Sequence, residues 1–206
     1  MNEKVAPFSP ISGVVLAGGK SSRMGVEKAF LELAGRPLIQ WVLDALQSLT
    51  SDIFIVANAP ERYAHLGYPV MTDLIPGRGV LGGILTALHY AGHQKVLIVG
   101  CDMPFLSRPL LEYLITLSND YDVTVPRLGN FIEPLHAVYS RACLPAIRTV
   151  ITGGGQRIVE FFASVHVRYV EQVEIERFDP RHHSFMNVNT PADWEAVQQL
   201  AIEKTA

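Results

Sequence analysis

The chain has 206 residues, 49% of them hydrophobic and 18% charged, which favours one domain with a substantial core. A net charge of −3 disfavours a general nucleic-acid binder, because such proteins usually carry an excess of basic residues. Two cysteines outside any CxxC pair exclude a disulfide scaffold and a four-cysteine zinc site. The apolar runs are too short to span a membrane and the N-terminus lacks a signal-peptide run, so we expect a cytoplasmic protein that binds neither membrane nor nucleic acid.

Short apolar runs alternate with amphipathic segments in the first half of the chain. The pattern predicts strands at 11–16, 53–57, 70–72 and 96–99, and helices at 38–49 and 81–91. Strands without polar alternation are buried on both faces, which indicates a parallel sheet between helices. We therefore predict a single-domain, Rossmann-like α/β fold over 11–206, after an N-terminal tail at 1–10. Its sheet is doubly wound and mostly parallel, with helices on both faces.

The second half is less regular. Strands are predicted at 122–126, 135–139 and 165–170, and helices at 142–151, 156–163 and 191–203. Thr190 and Asp193 have the spacing of a capping box, and Pro191 suits the first position of the last helix.

A glycine-rich turn follows the first predicted strand. Gly18 and Gly19 allow the backbone N–H groups from Ala17 onward to approach a ligand closely, and rows of N–H groups bind phosphate. Arg23 and Lys28 add positive charge, which fits a polyphosphate better than a neutral ligand. The spacing is neither that of the Walker loop nor that of the GxGxxG dinucleotide pattern.

This turn resembles the signature loop of the nucleotidyltransferases related to MobA, the molybdenum cofactor guanylyltransferase. The resemblance rests on LAGGxSSRMGxxK at 16–28, RGVLGGI at 78–84, CDMPFL at 101–106 and NVNTP at 187–191. With the stretch leading into the first helix, it spans about residues 11–195. One departure is Ser22, which stands where many members carry a second arginine and so removes a positive charge from the loop.

The resemblance implies transfer of GMP from GTP to the terminal phosphate of the molybdopterin cofactor, with Mg²⁺ as cofactor. It implies catalytic roles for Arg23, Lys28 and Asp102, with Asp102 as the metal ligand. Asp102 follows a buried strand, and ligands of open α/β sheets bind outside the carboxyl ends of strands. The predicted nucleotide-binding residues are Leu16, Ala17, Gly18, Gly19, Lys28, Asn58, Asp73, Gly79, Gly83 and Asp102.

The second substrate is expected near three other residues. Asn187 and Asn189 flank one residue, so in an extended segment they face the same side, where one of them could serve the metal region. Turn and capping roles are the alternative for both. Arg157 follows a run of three glycines and could bind a phosphate of the pterin in a forked geometry. Proteins that deliver or receive the molybdenum cofactor are further expected partners.

Two other functions fit the same motifs. A cytidylyltransferase or another nucleotidyltransferase of this fold is the first, although Gly18 after Ala17 favours the guanylyl branch. A nucleotide-binding adaptor without turnover is the second, and the presence of Lys28 and Asp102 argues against it.

Overall fold

A computed structural model describes residues 10–17 and 27–205 of the protein. The predicted tail therefore lies outside the described residues except for Pro10, and so do Gly18, Gly19 and Arg23. Among the described residues, no helix combines the length and apolar character needed to cross a membrane.

One eight-stranded sheet forms the centre of the molecule, in the order β10-β7-β9-β6-β1-β4-β5, with β8 paired to β7. Its strands are β1 (Ile11–Leu16), β4 (Ile53–Val56), β5 (Val70–Met71), β6 (Lys95–Gly100), β7 (Val123–Leu128), β8 (Phe131–Ile132), β9 (His136–Ser140) and β10 (Val167–Glu171). A separate hairpin joins β2 (Glu32–Leu33) to β3 (Arg36–Pro37), and both residues of its tight turn, Ala34 and Gly35, have positive φ.

The sheet is mostly parallel, as predicted. Strands β1, β4, β5 and β6 pair in parallel, and so do β7 and β10. Strand β9 runs against both of its neighbours, and β8 runs against β7. Because β9 is reversed, its beginning, and not its end, meets the edge at which β1 and β6 end.

Helices cover both faces, which confirms the doubly wound prediction. They are α1 (Leu38–Gln47), α2 (Gly79–Tyr90), α3 (Arg108–Leu117), α4 (Leu144–Thr152), α5 (Val159–Phe162), α6 (Gln172–Ile175) and α7 (Pro191–Thr205). Helices α1 and α3 bury their apolar side chains on one face of the sheet, and α2 and α4 on the other. Successive side chains of β1 serve the two cores alternately: Val15 belongs to the first and Val14 to the second.

A smaller third core fixes the C-terminal segment. Leu33 of β2, Phe105, and Val197 and Leu200 of α7 pack around Val188, which is fully buried. The predicted capping box at the start of α7 is present, since the Asp193 carboxylate accepts from Thr190 N–H at 2.7 Å and Asp193 N–H donates to Thr190 Oγ1 at 3.2 Å. The flanking residues of Val188 are thereby held beside the main sheet.

Several predicted boundaries and elements differ from the structure. Helix α3 was not predicted, although Ser107 caps it and Leu110, Leu111 and Leu114 form its buried stripe. The helix predicted at 156–163 is shorter, because α5 begins only at Val159. The two-residue strand β8 and the one-turn helix α6 are too short to produce a periodic pattern.

Candidate active site

The carboxyl ends of the parallel strands form one edge of the sheet, and most of the predicted site residues lie there. Lys28 begins a short 3-10 helix, Lys28–Phe30, directly after the stretch that follows β1. Asp102 follows β6, and the Cys101 N–H donates to the Leu16 carbonyl at 3.2 Å, which joins the ends of β6 and β1. Ligands of open α/β sheets bind at this edge.

Three predicted residues from remote parts of the chain meet at one point. The Lys28 ammonium donates a 2.7 Å hydrogen bond to Asn189 Oδ1 and lies 3.8 Å from Asp102 Oδ2. Val188 N–H donates to the Asp102 carbonyl at 3.2 Å, so the backbone of the Asn189 segment is fixed to the segment that carries Asp102. The Lys28 and Asp102 side chains each remain 20% exposed, which leaves the group open to a ligand.

The Asp102 carboxylate lies in an environment that disfavours its charge. Burial raises its pKa above the ordinary value, while the Lys28 ammonium and hydrogen bonds oppose this rise. A carboxylate in this state gains from a nearby cation more than a fully solvated one does. The neighbouring Cys101 thiol is also kept neutral, because burial raises its pKa.

A second carboxylate beside this group was missed by the sequence analysis. Glu133 is buried, its Oε1 accepts from Leu135 N–H at 3.2 Å, and its Oε2 accepts from Asn187 Nδ2 at 3.1 Å. Burial raises the pKa of Glu133, and the nearby charge of Asp102 raises it further. Glu133 comes just before β9, so only the reversed direction of that strand brings it to this edge.

A cavity of about 290 Å³ opens beside the Glu133–Asn187 pair. Its walls mix aromatic, aliphatic and polar side chains: Phe131, Glu133, Phe185, Met186, Asn187, Asn189, Asp193, Ala196 and Val197. Asn189 is shared between this cavity and the Lys28 group. Asn187 and Asn189, predicted to face one side, therefore have different partners: Glu133 for the first and Lys28 for the second.

Both backbone polar groups of Ala17, which follows β1, take part in hydrogen bonds. Ala17 N–H donates to Val56 O at 2.9 Å and is therefore already paired, so phosphate binding by backbone N–H groups of this turn depends on residues 18–26, which lie outside the described residues. The Ala17 carbonyl accepts from the Tyr63 hydroxyl at 3.2 Å. Leu16 is buried, and a Cβ added at Gly83 would lie 3.1 Å from Leu16 Cδ1. Gly83 thus lets α2 pack against the end of β1.

Asp73, Asn58 and Gly79 lie on the β4–β5 side of the same edge. Asp73 Oδ1 accepts from Ile75 N–H at 3.2 Å and from Thr86 Oγ1 at 3.1 Å, which fixes the turn into α2. Asn58 is exposed after β4, and Gly79 is exposed at the start of α2 with a φ of +56°. Their predicted contacts with the nucleotide stay predictions.

Arg157, the third residue expected near the second substrate, lies on the connection between two helices. It is exposed between α4 and α5, and its N–H donates to Glu160 Oε1 at 2.9 Å. Helix α4 starts beyond the reversed strand β9 and returns toward the carboxyl edge, so the topology places Arg157 on that side of the sheet. None of the contacts among the described residues joins it to Lys28 or Asp102.

The residues present fit the Mg²⁺ ion that the sequence resemblance implies. The Asp102 carboxylate and the Asn189 amide oxygen are hard oxygen donors, and both face the same ammonium nitrogen. Within residues 10–17 and 27–205, no group of three or more His, Cys, Asp or Glu side chains could hold a metal. Proteins commonly bind Mg²⁺ through one or two carboxylates together with substrate phosphates, and the Asp102 carboxylate beside the Asn189 amide oxygen matches that pattern.

Comparison with known proteins identifies relatives that match nearly the whole chain. A relative from Pelotomaculum thermopropionicum, named a probable molybdenum cofactor guanylyltransferase, is 40% identical over 190 residues, which cover 92% of this chain and 93% of the relative. The molybdenum cofactor guanylyltransferase of Desulfosudis oleivorans is 38% identical over 190 residues, or 91% of this chain and 94% of the relative.

A solved structure shares the same architecture. The molybdopterin-guanine dinucleotide biosynthesis protein A of Archaeoglobus fulgidus superimposes with a TM-score of 0.82 at 27% identity, covering 93% of this chain and 99% of its own. Residues 13–169 match the family described as the MobA-like NTP transferase domain. This match begins within β1, ends within β10 and includes both Lys28 and Asp102. The chain belongs to the MobA-like nucleotidyltransferase family.

Proposed function

We propose that the protein transfers GMP from GTP to the terminal phosphate of the molybdopterin cofactor, forming the guanine dinucleotide cofactor and releasing pyrophosphate. One observation carries the proposal. At the carboxyl edge of the sheet, the Asp102 carboxylate and the Asn189 amide oxygen both lie close to the Lys28 ammonium. The names of the relatives support the choice of guanylyl transfer over the transfer of another nucleotide.

In this reaction an oxygen of the pterin phosphate attacks the α-phosphorus of GTP. A new P–O bond forms there, and the bond from the α-phosphorus to the bridging oxygen of pyrophosphate breaks. The attacking phosphate is ionised at neutral pH, so the reaction requires no general base. The protein's contribution is to position the two phosphates and to stabilise the negative charge between them.

Lys28 and Asp102 supply the charge that this chemistry requires. The Lys28 ammonium would bind phosphate oxygens of the triphosphate, with Arg23 as a second predicted cation. Asp102 and Asn189 would hold Mg²⁺, which when bound polarises the phosphate oxygens and neutralises the leaving pyrophosphate. Burial of the Asp102 carboxylate strengthens its attraction for a cation.

The cavity beside Glu133 and Asn187 is the proposed place of the pterin. Its volume of about 290 Å³ and its mixed lining suit part of a fused heterocycle, with Phe131 and Phe185 as apolar walls. The buried Glu133 carboxylate and the Asn187 amide supply polar groups that could bind the ring edge. Because Asn189 borders both regions, the two substrates would meet at that residue.

The direct test is a product assay with the purified full-length chain, GTP, Mg²⁺ and the molybdopterin cofactor. We expect a product whose mass is that of the pterin cofactor plus GMP, formed in equal amount with pyrophosphate. Binding of GTP without any product would favour the nucleotide-binding adaptor and would contradict the proposed transfer.

A further inference from the structure

Tyr63 joins the two residues that border the signature turn. This side chain lies in the segment after β4, is 1% exposed, and belongs to none of the motifs that identified the family. Its hydroxyl lies 3.2 Å from the carbonyl oxygen of Ala17, the last described residue before the turn. The same hydroxyl contacts the carboxylate of Glu27, the first described residue after it.

A neighbouring ion pair extends this contact. Arg62 Nη1 lies 2.8 Å from Glu27 Oε2, so Glu27 is held by two successive residues of the 60–63 segment. The ring of Phe30 packs on the ring of Tyr63 with centroids 5.1 Å apart. The short helix that starts at Lys28 is therefore anchored at both ends to the same segment, by Glu27 before it and by Phe30 at its last residue.

The hydroxyl is suited to a permanent structural contact. Burial raises the pKa of Tyr63 far above its ordinary value, and the hydrogen bond to Glu27 raises it further, so the group remains a neutral donor. Its oxygen lies within hydrogen-bond distance of two acceptors that are ten residues apart in the chain, Ala17 O and Glu27 Oε1.

We propose that Tyr63 is a positioning residue for nucleotide binding: it fixes Glu27 against Ala17 and so sets the point from which Lys28 reaches Asn189 and Asp102. Lys28 directly follows Glu27 and begins the short helix, so the place of Glu27 sets the backbone from which the Lys28 ammonium reaches Asn189 at 2.7 Å. This proposal rests on the proposed function only in taking the Lys28 ammonium as a ligand of the triphosphate.

The test compares Tyr63→Phe with a matched control elsewhere in the fold. Tyr113 donates to Glu174 Oε1 at 2.7 Å, and Glu174 is paired with Arg168 at 2.6 Å, so a tyrosine, a glutamate and an arginine make a similar set of contacts among residues that belong neither to the Lys28 group nor to the cavity lining. Tyr113→Phe removes the same chemical group, and we expect it to leave the binding of both substrates unchanged.

Two kinds of measurement separate positioning from a general effect on folding. For Tyr63→Phe we expect the Kd of GTP with Mg²⁺, titrated without the pterin, and the KM for GTP to rise by about tenfold, the effect of one hydrogen bond to a charged partner. The KM for the pterin cofactor should change by less than about twofold, since Tyr63 makes no contact with its proposed cavity. Thermal unfolding should shift no more than in Tyr113→Phe.

The results that overturn the proposal are distinct from those that overturn the proposed function. A wild-type Kd and KM for GTP in Tyr63→Phe, or an equal rise in both substrate KM values, would contradict positioning by Tyr63. A wild-type protein that binds GTP but forms no product would contradict the transfer, while the GTP titration would still decide the role of Tyr63. If Tyr63→Phe does not fold, Glu27→Ala replaces it: weaker GTP binding supports the proposal, and unchanged binding overturns it.

Discussion

The Lys28 ammonium lies 3.8 Å from the Asp102 carboxylate, although 74 residues separate them in the chain. The pair brings together the segments that follow β1 and β6, because Lys28 comes after the turn at the end of β1 and Asp102 comes just after β6. The two charges are partly buried at the carboxyl edge. There the Lys28 ammonium could bind a phosphate, and the Asp102 carboxylate could bind a divalent cation.

Asp102→Asn tests the role of this carboxylate. The change keeps the shape of the side chain and removes its charge, so we expect Mg²⁺-dependent turnover to fall by roughly 100-fold or more. Stability should stay equal or increase, because burial raises the pKa of Asp102 in the folded protein and charging it opposes folding at neutral pH. The measurements are pyrophosphate release at several Mg²⁺ concentrations and thermal unfolding.

Asp44→Asn is the control for that experiment. Asp44 lies on α1 and forms an ion pair with Arg36 of β3, and neither residue is among the predicted site residues, so its loss should leave turnover at the wild-type rate. Unchanged turnover in Asp102→Asn would remove Asp102 from the metal site and would leave the Lys28 pair with a structural role only.

The two asparagines should have separable effects. Asn189 contacts Lys28, so Asn189→Ala is expected to weaken GTP binding and raise the Mg²⁺ concentration needed for half-maximal turnover by about tenfold. Asn187 contacts Glu133 at the cavity, so Asn187→Ala should instead raise the KM for the pterin cofactor by a similar factor. Steady-state kinetics with each substrate varied in turn measures both effects, and identical profiles for the two variants would refute the division.

The burial of His136 leads to a prediction of how the free energy of unfolding depends on pH. It is fully buried on β9 and stacked on Phe185 with ring centroids 5.0 Å apart, and burial lowers its pKa to about 4. Between its unfolded value near 6.5 and about 4, the unfolded chain binds a proton that the folded chain does not. The stability that depends on neutral His136 is therefore fully present above about pH 6.5. Between about pH 6.5 and pH 4, the free energy of unfolding falls by about 1 kcal/mol per pH unit.

His136→Leu should remove that dependence. We expect the free energy of unfolding, measured in urea between pH 7 and pH 5, to fall less steeply in this variant than in the wild type. The exposed His89 offers a control, since His89→Leu should keep the wild-type slope. Equal slopes in wild type and His136→Leu would show that His136 takes up its proton in the folded protein.

The sequence predicted the parts of the site that lie next to strong local signals. Asp102 follows a continuous apolar strand, and Lys28 ends a glycine-rich turn after another, so their shared edge could be inferred from the parallel sheet alone. The capping box at Thr190 and Asp193 gave the start of α7, and with it the position of Asn189. In each case the pattern lies within a few residues of the functional side chain.

Glu133 and Tyr63 depend on contacts that no local pattern encodes. Glu133 precedes its strand, and it reaches the carboxyl edge only because β9 is reversed between β6 and β7. Tyr63 acts through Ala17 and Glu27, which are 46 and 36 residues away in the chain. Strand direction and long-range contacts are set by the packing of the whole sheet, and periodicity describes only one segment at a time.

A competition between GTP and CTP tests the central claim most directly. The wild-type protein would receive both nucleotides at equal concentration, with Mg²⁺ and limiting molybdopterin cofactor, and the two dinucleotide products would be separated by mass. We predict the guanine dinucleotide as the main product, and a mixture dominated by the cytosine dinucleotide would contradict the guanylyltransferase assignment.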